Sequence, residues 1–108
     1  MRSANVFYKR ELAGKLTQNN DGSFSFQYNS KWIADSRKPA ISLTLPKTNQ
    51  TFRSNYLFPF FYNLIPEGGN RTILCHQLRI EEDDYFSLLL SVATHDTIGA
   101  VTLKSTTV

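Results

Sequence analysis

The sequence predicts an α+β fold: a small, mainly antiparallel sheet from the first half, closed by a C-terminal strand and packed with about three helices from the second half. Three observations predict it. Short runs of alternating apolar and polar residues dominate the first half, denser apolar runs bounded by helix signals fill the second, and an apolar stretch entered through Gly99 returns near the end. Strands first and helices after favour antiparallel pairing over a parallel sheet. Eight Phe and five Tyr are many for a chain of 108 residues and suit an aromatic core with strand content.

Val6-Phe7-Tyr8 and Glu11 to Leu16 form two runs around Lys9-Arg10, which predicts a hairpin. Leu12, Gly14 and Leu16 alternate onto one expected face, and the glycine suggests close backbone approach. Asn19-Asn20-Asp21-Gly22 is a turn signal, after which Phe24, Phe26 and Tyr28 alternate with Ser25 and Gln27 as a half-buried strand. Asn29 to Pro39 reads as a loop or single helical turn anchored by Trp32. Ile41, Leu43 and Leu45 predict another strand, stopped by Pro46, which lacks the N–H a ladder needs. Lys47 to Asn55 is polar and reads as a loop.

Tyr56 to Ile65 predicts a helix ending at Pro66, and Pro66-Glu67-Gly68-Gly69 a turn. A second helix is expected from Asn70 to about Arg79. Glu81-Glu82-Asp83-Asp84 complements the positive end of a helix dipole, so a third helix should start near Asp83 and run through Tyr85 to Ala93. Ile98 to Leu103 is the expected closing strand. No repeat, linker or low-complexity segment interrupts the chain, and a single domain over residues 1–108 is expected.

Apolar and charged contents of 41% and 19% are ordinary for a globular chain. The net charge of +3 hides a split: residues 1–54 carry nine basic and three acidic side chains, residues 55–108 three and six. The basic half allows phosphate binding, but its cations never form a dense run, and a solvated surface is the preferred reading. Cys75 is the lone cysteine and suits a small buried hydrophobe. With no apolar leader and no run long enough to span a bilayer, a cytoplasmic location is expected.

Residue chemistry points away from catalysis. Gly68-Gly69 is the one glycine pair and no lysine follows it, so a phosphate-cradling loop is not indicated. The catalytic and metal-binding carboxylates of a kinase loop are missing. Cys75 and His76 are adjacent on an expected helix and diverge by roughly 100°, which prevents a dyad. Cys75, His76, His95 and Asp96 match no compact zinc spacing. Phe24, Phe26 and Tyr28 have the pattern of a base-stacking sheet, yet a core face has the same pattern and is preferred. The expectation is no enzyme, no cofactor and no metal.

The segment Phe60-Phe61-Tyr62-Asn63-Leu64-Ile65-Pro66-Glu67-Gly68-Gly69-Asn70-Arg71 resembles HipA-family proteins, in which an aromatic pair, an Asn-Leu-Leu-Pro-Glu-Gly run and a downstream Arg recur. Val6 through Leu16 with Gly14-Lys15-Leu16, Phe24 to Tyr28, Ile41 to Pro46, Asp83 to Leu90, then Asp96 and Gly99-Ala100 fall in the family's order, over nearly the whole chain. The hairpin turn is Lys9-Arg10 where the family commonly has Asn-Gly, and His95-Asp96 stands where Gly-Asp is expected. The resemblance is to the first N-terminal subdomain of HipA kinases. Ending at Val108, the chain is similar to the small separate antitoxin (HipS) of three-gene HipBST systems. It implies a module that binds and neutralises a HipA-like (HipT-like) serine/threonine kinase toxin in trans, in bacterial cytoplasm, beside a HipB-like DNA-binding protein. Candidate contacts are Tyr62, Ile65, Pro66, Glu67, Gly68, Gly69, Asn70 and Arg71. Glu67 and Arg71 stand between two roles, partner contact or stabilisation of helix ends. Rival readings are an N-terminal fragment of a complete kinase and a nucleic-acid binder.

Overall fold

The computed structural model describes residues 1–93 and 101–106. A five-stranded antiparallel sheet is built from β1 (Arg2–Tyr8), β2 (Glu11–Gln18), β3 (Phe24–Tyr28), β4 (Thr51–Ser54) and β5 (Val101–Ser105), in the order β4-β3-β2-β1-β5. Four helices join it: α1 (Ser30–Ala34), α2 (Pro59–Tyr62), α3 (Gly69–Leu78) and α4 (Tyr85–Ala93). The expected α+β class and C-terminal closing strand are therefore present, and β5 pairs with β1 through Val6 and Leu103. His95, Asp96, Ile98, Gly99 and Ala100 lie outside the described residues.

The core occupies one face of the sheet. Ala4, Val6, Leu16, Phe24, Phe26, Tyr28, Val101 and Leu103 are buried there, under Phe61, Phe86, Leu88 and Leu89 from the helices. Phe24, Phe26 and Tyr28 are thus core, which removes the base-stacking reading of that strand. The β1–β2 hairpin turns on Lys9 (φ 49°) and Arg10 (φ 71°), with Tyr8 opposite Glu11. Two left-handed residues match the twist of the flanking strands, which is why Asn-Gly is the commoner solution there. Val6 pairs with Gly14 but Phe7 pairs with Leu12, so Ala13 is the extra residue of a bulge. The bulge breaks the expected alternation: Gly14 and Leu16 face the core while Leu12 is rotated to the other side and is 40% exposed.

Two expected elements exchange roles. Ile41 to Leu45 is a turn, not a strand, because Tyr28 ties it off: its hydroxyl donates to the Leu45 carbonyl and accepts from the Ile41 N–H at 3.1 Å. Ser42 Oγ accepts from the Thr44 N–H at 3.2 Å, and Leu43 is fully exposed. The ladder position beside β3 goes instead to Thr51–Ser54, from the stretch expected as a loop, with Phe52 opposite Phe26. The expected helix over 56–65 shrinks to α2. Pro59 occupies its first turn and disfavours helix in the residues before it, and Pro66 stops any extension. Trp32 anchors α1 as expected: it is buried, its Nε1–H donates to the Pro39 carbonyl at 2.9 Å, and Asn29 caps the helix through the Lys31 N–H.

The acidic run before α4 does cap it. Asp84 Oδ1 accepts from the Ser87 N–H at 3.2 Å, and the same carboxylate receives Arg2 from β1 at 2.7 and 3.3 Å. Partial burial by itself would raise the Asp84 carboxyl, but hydrogen bonds from Arg2 and Ser87 outweigh it and hold the group below its ordinary 3.8. The folded chain therefore binds this proton less readily than the unfolded chain. Its contribution is present above the unfolded value and is lost as pH falls through the lower, folded one. Urea midpoints measured between pH 6 and pH 2.5 should fall with acid below about pH 4, and Asp84→Asn should flatten that slope. An unchanged slope in the variant would count against the Arg2–Asp84 tie.

Candidate partner-binding turn

The residues singled out by the motif form a corner between α2 and α3. Phe61 is buried under Phe26 and fixes α2 to the sheet. Leu64 and Ile65 then tighten the chain with i to i−3 hydrogen bonds to the Phe61 and Tyr62 carbonyls at 3.0 Å. Ile65 is buried in the core, while Tyr62 and Pro66 are half-buried and Glu67, Gly68, Gly69 and Asn70 are exposed.

Arg71 holds the corner shut. Its Nε donates to the Pro66 carbonyl at 2.9 Å and a terminal nitrogen donates to the Tyr62 hydroxyl at 3.1 Å. The guanidinium lies 5.2 Å from the Tyr62 ring centre and 5.8 Å from that of Tyr85, and the two rings meet edge to face at 5.5 Å. The hydrogen bond with Tyr62, helped by the Glu67 carboxylate, pushes the Arg71 guanidinium further above its ordinary value. Two of its nitrogens are thus spent inside the chain, on the stabilising side of the two roles open to it in the sequence. Glu67 stays exposed and available.

Gly68 sits at φ 60°, ψ −134° as the residue before the first turn of α3, a conformation side chains resist. A Cβ there would meet nothing within 4 Å, and neither would one on Gly69. Strain alone therefore separates the two positions. Gly68→Ala should cost about 1–3 kcal/mol in chemical denaturation, whereas Gly69→Ala should stay within about 0.5 kcal/mol of the parent. Equal losses at both sites would show that the corner does not need its left-handed residue.

Against this corner the fold brings residues that spacing in the sequence did not connect to it. A shallow recess is lined by Gly68, Arg71, Thr72, Glu82, Asp83 and Tyr85. Asp84 is committed to capping α4, but Glu82 and Asp83 are exposed and give the recess an acidic side, while Glu67 is exposed on the turn next to Gly68. Beyond it, α3 leaves Ile73 57% and Leu78 47% exposed. Its inward residue Cys75 is 5% exposed, and burial raises its thiol, which keeps it protonated and unreactive. His76 points to solvent on the neighbouring position. The arrangement offers carboxylates, a tyrosine-backed hollow and exposed aliphatic side chains, which is binding chemistry.

Comparison with known proteins agrees with the motif. Residues 4–104 match the HipA N-terminal domain family. A solved N-terminal domain of HipA toxin superposes with a TM-score of 0.72 at 31% identity, covering 97% of this chain and 92% of that one. An uncharacterised protein of Haemophilus influenzae is 35% identical over 104 residues, 96% of this chain and 92% of that protein. The kinase-named protein Y4mE of Sinorhizobium fredii is 30% identical over 89 residues, 82% of this chain, and a second, Y4dM, is 32% identical over 99 residues. The chain spans only 21% and 24% of the length of those two.

Proposed function

This chain belongs to the HipA N-terminal domain family, and on that premise we propose that it is a non-catalytic antitoxin or regulatory module that binds a HipA-like kinase toxin in trans. One observation carries the reading. The same domain makes up nearly the whole of the Haemophilus protein but about a fifth to a quarter of the kinase-named relatives. A domain that is one segment of a longer protein in one relative and almost all of another is suited to supply from outside what a kinase otherwise carries within.

As a separate chain, such a module lacks the millimolar effective concentration that a covalent link provides. Its interface has to supply the affinity, and a few central contacts generally carry most of it. The exposed carboxylates of Glu82 and Asp83 on the recess, with Glu67 on the turn beside Gly68, fit a cationic patch on the kinase. Docked there, the module blocks substrate or nucleotide access or holds the kinase in an inactive arrangement. A HipB-like DNA-binding protein in the same cytoplasmic complex fits the family context. Among the described residues no helix is long and apolar enough to cross a membrane.

Co-expression with the cognate kinase tests the proposal. The parent chain should relieve growth arrest, and Glu67→Gln with Glu82→Gln and Asp83→Asn should restore arrest while the variant still folds cooperatively. Arrest unaffected by the parent chain would end the antitoxin reading. The matches to Y4mE and Y4dM favour one alternative, that these residues are the N-terminal segment of a longer kinase in which the corner serves intramolecular assembly. An uninterrupted kinase reading frame after Val108 would establish it.

A further inference from the structure

Among the described residues the helices cover one face of the sheet, and two cross-strand rows of the other are half-exposed to exposed. Thr51, Gln27, Lys15, Asn5 and Lys104 stand side by side on β4, β3, β2, β1 and β5, each opposite the next in register. The adjacent row runs Arg53, Ser25, Thr17, Ser3. Lys15, Gln27, Thr51, Arg53 and Lys104 are exposed. Every side chain in both rows can donate a hydrogen bond, and none is a carboxylate. Lys15 and Lys104 are two strands apart, about 10 Å from the usual strand spacing. Arg53 is partly offset by Asp21, 2.9 Å away in the preceding turn. A shallow depression on the same side, lined by Asn5, Lys15, Gln27, Asn29 and Gln50 among others, is likewise free of acidic groups.

We propose that this polar face contacts the phosphate backbone of duplex nucleic acid. The residue types are those that bind phosphate oxygens: Lys and Arg with Ser, Thr, Asn and Gln. A protein interface would want a buried aromatic or aliphatic anchor; these two rows have none, and the apolar pair on this face, Phe7 and Leu12, sits in the next row toward the hairpin. Single strands would want several aromatic platforms; Phe24, Phe26 and Tyr28 are on the buried side, and the half-buried Phe7 stands outside the two rows. The contact is electrostatic, weak and indifferent to sequence. It lies on a different face from the acidic corner assigned to the kinase, so one molecule can engage both.

The test is a fluorescence-anisotropy titration of a labelled 20-base-pair duplex of arbitrary sequence with the full chain. With two or three cations engaged, affinity should fall about 10- to 40-fold between 50 and 200 mM salt. Lys15→Gln with Lys104→Gln should weaken binding at least tenfold at low salt and leave the melting curve unchanged. His76→Glu with Gln77→Glu, which changes the net charge equally on α3, should weaken it no more than about twofold. The proposal is overturned by no duplex binding at 50 mM salt, by equal losses in the two double variants, or by salt-independent binding. It is also overturned if the lysine pair impairs capture of the kinase while duplex binding is untouched, which would make the face a protein dock.

Discussion

Gly14→Ala should lower the melting temperature by about 12–24 °C, a loss of about 3 kcal/mol. A Cβ at Gly14 would lie 2.5 Å from the Gln27 carbonyl oxygen and 2.8 Å from the Phe26 ring. The first contact is backbone of the paired strand, so it cannot swing aside without breaking the β2–β3 ladder, where Gly14 faces Tyr28. The second is a ring with no exposed surface. Overpacking of this kind usually costs 1–3 kcal/mol, roughly, when side chains can adjust, and the backbone contact puts Gly14 at the upper end. Against a total of about 5–15 kcal/mol for a domain, that is a large share. Thermal melts by circular dichroism decide it: a variant within about 3 °C of the parent would mean the strands at the bulge are looser than the packing shows.

Phe61→Ala should cost about 3–5 kcal/mol and disable partner binding with it. Phe61 has no exposed surface and packs its ring against Phe60, Phe58 and Phe26 at centroid separations of 5.2, 6.4 and 5.8 Å. It belongs to α2, whose single turn cannot persist without tertiary contacts. Emptying this site leaves a cavity between sheet and helix and frees the chain that leads to Pro66 and Arg71. Phe61→Leu keeps most of the volume and should retain both folding and kinase capture with a smaller loss. Urea midpoints give the stability, and pull-down of the kinase by each variant gives the function. An alanine variant losing under about 1 kcal/mol would show that α2 is not what positions the corner.

Local signals carried much of this molecule. Two short runs around Lys9-Arg10 marked β1 and β2, period-two alternation marked β3, and the sheet was expected to be antiparallel because strands preceded helices. The acidic run before Tyr85 was legible as a helix start, since a cap needs only a short side chain beside the first N–H groups; the Asn29 cap emerged only with the structure. Gly14 was legible as a place of close approach. The Pro66–Arg71 motif was legible by its likeness to a family, which the comparisons then bore out. The expected helix over 56–65 failed where Pro59 and Pro66 bracketed it, a steric rule visible in the chain but outweighed there by the run of apolar residues.

What lay beyond local signals was every choice among competing partners. Ile41–Leu45 and Thr51–Ser54 are both short runs able to lie beside β3, and the alternation of the first was the stronger. The Tyr28 hydroxyl, held by the fold between Ile41 and Leu45, closes that run into a turn and leaves the edge to the other. Glu82, Asp83 and Tyr85 join the Gly68–Arg71 corner only because the chain after α3 returns the start of α4 to the start of α3, and the carboxylate-free rows exist only because five strands align in one register. The amino-acid sequence by itself determined the fold class, most of the element types, the acidic start of α4 and the family. Tertiary structure alone decided which strand took the edge and which charges share a face, because those outcomes depend on hydrogen bonds and burial between residues far apart in the chain.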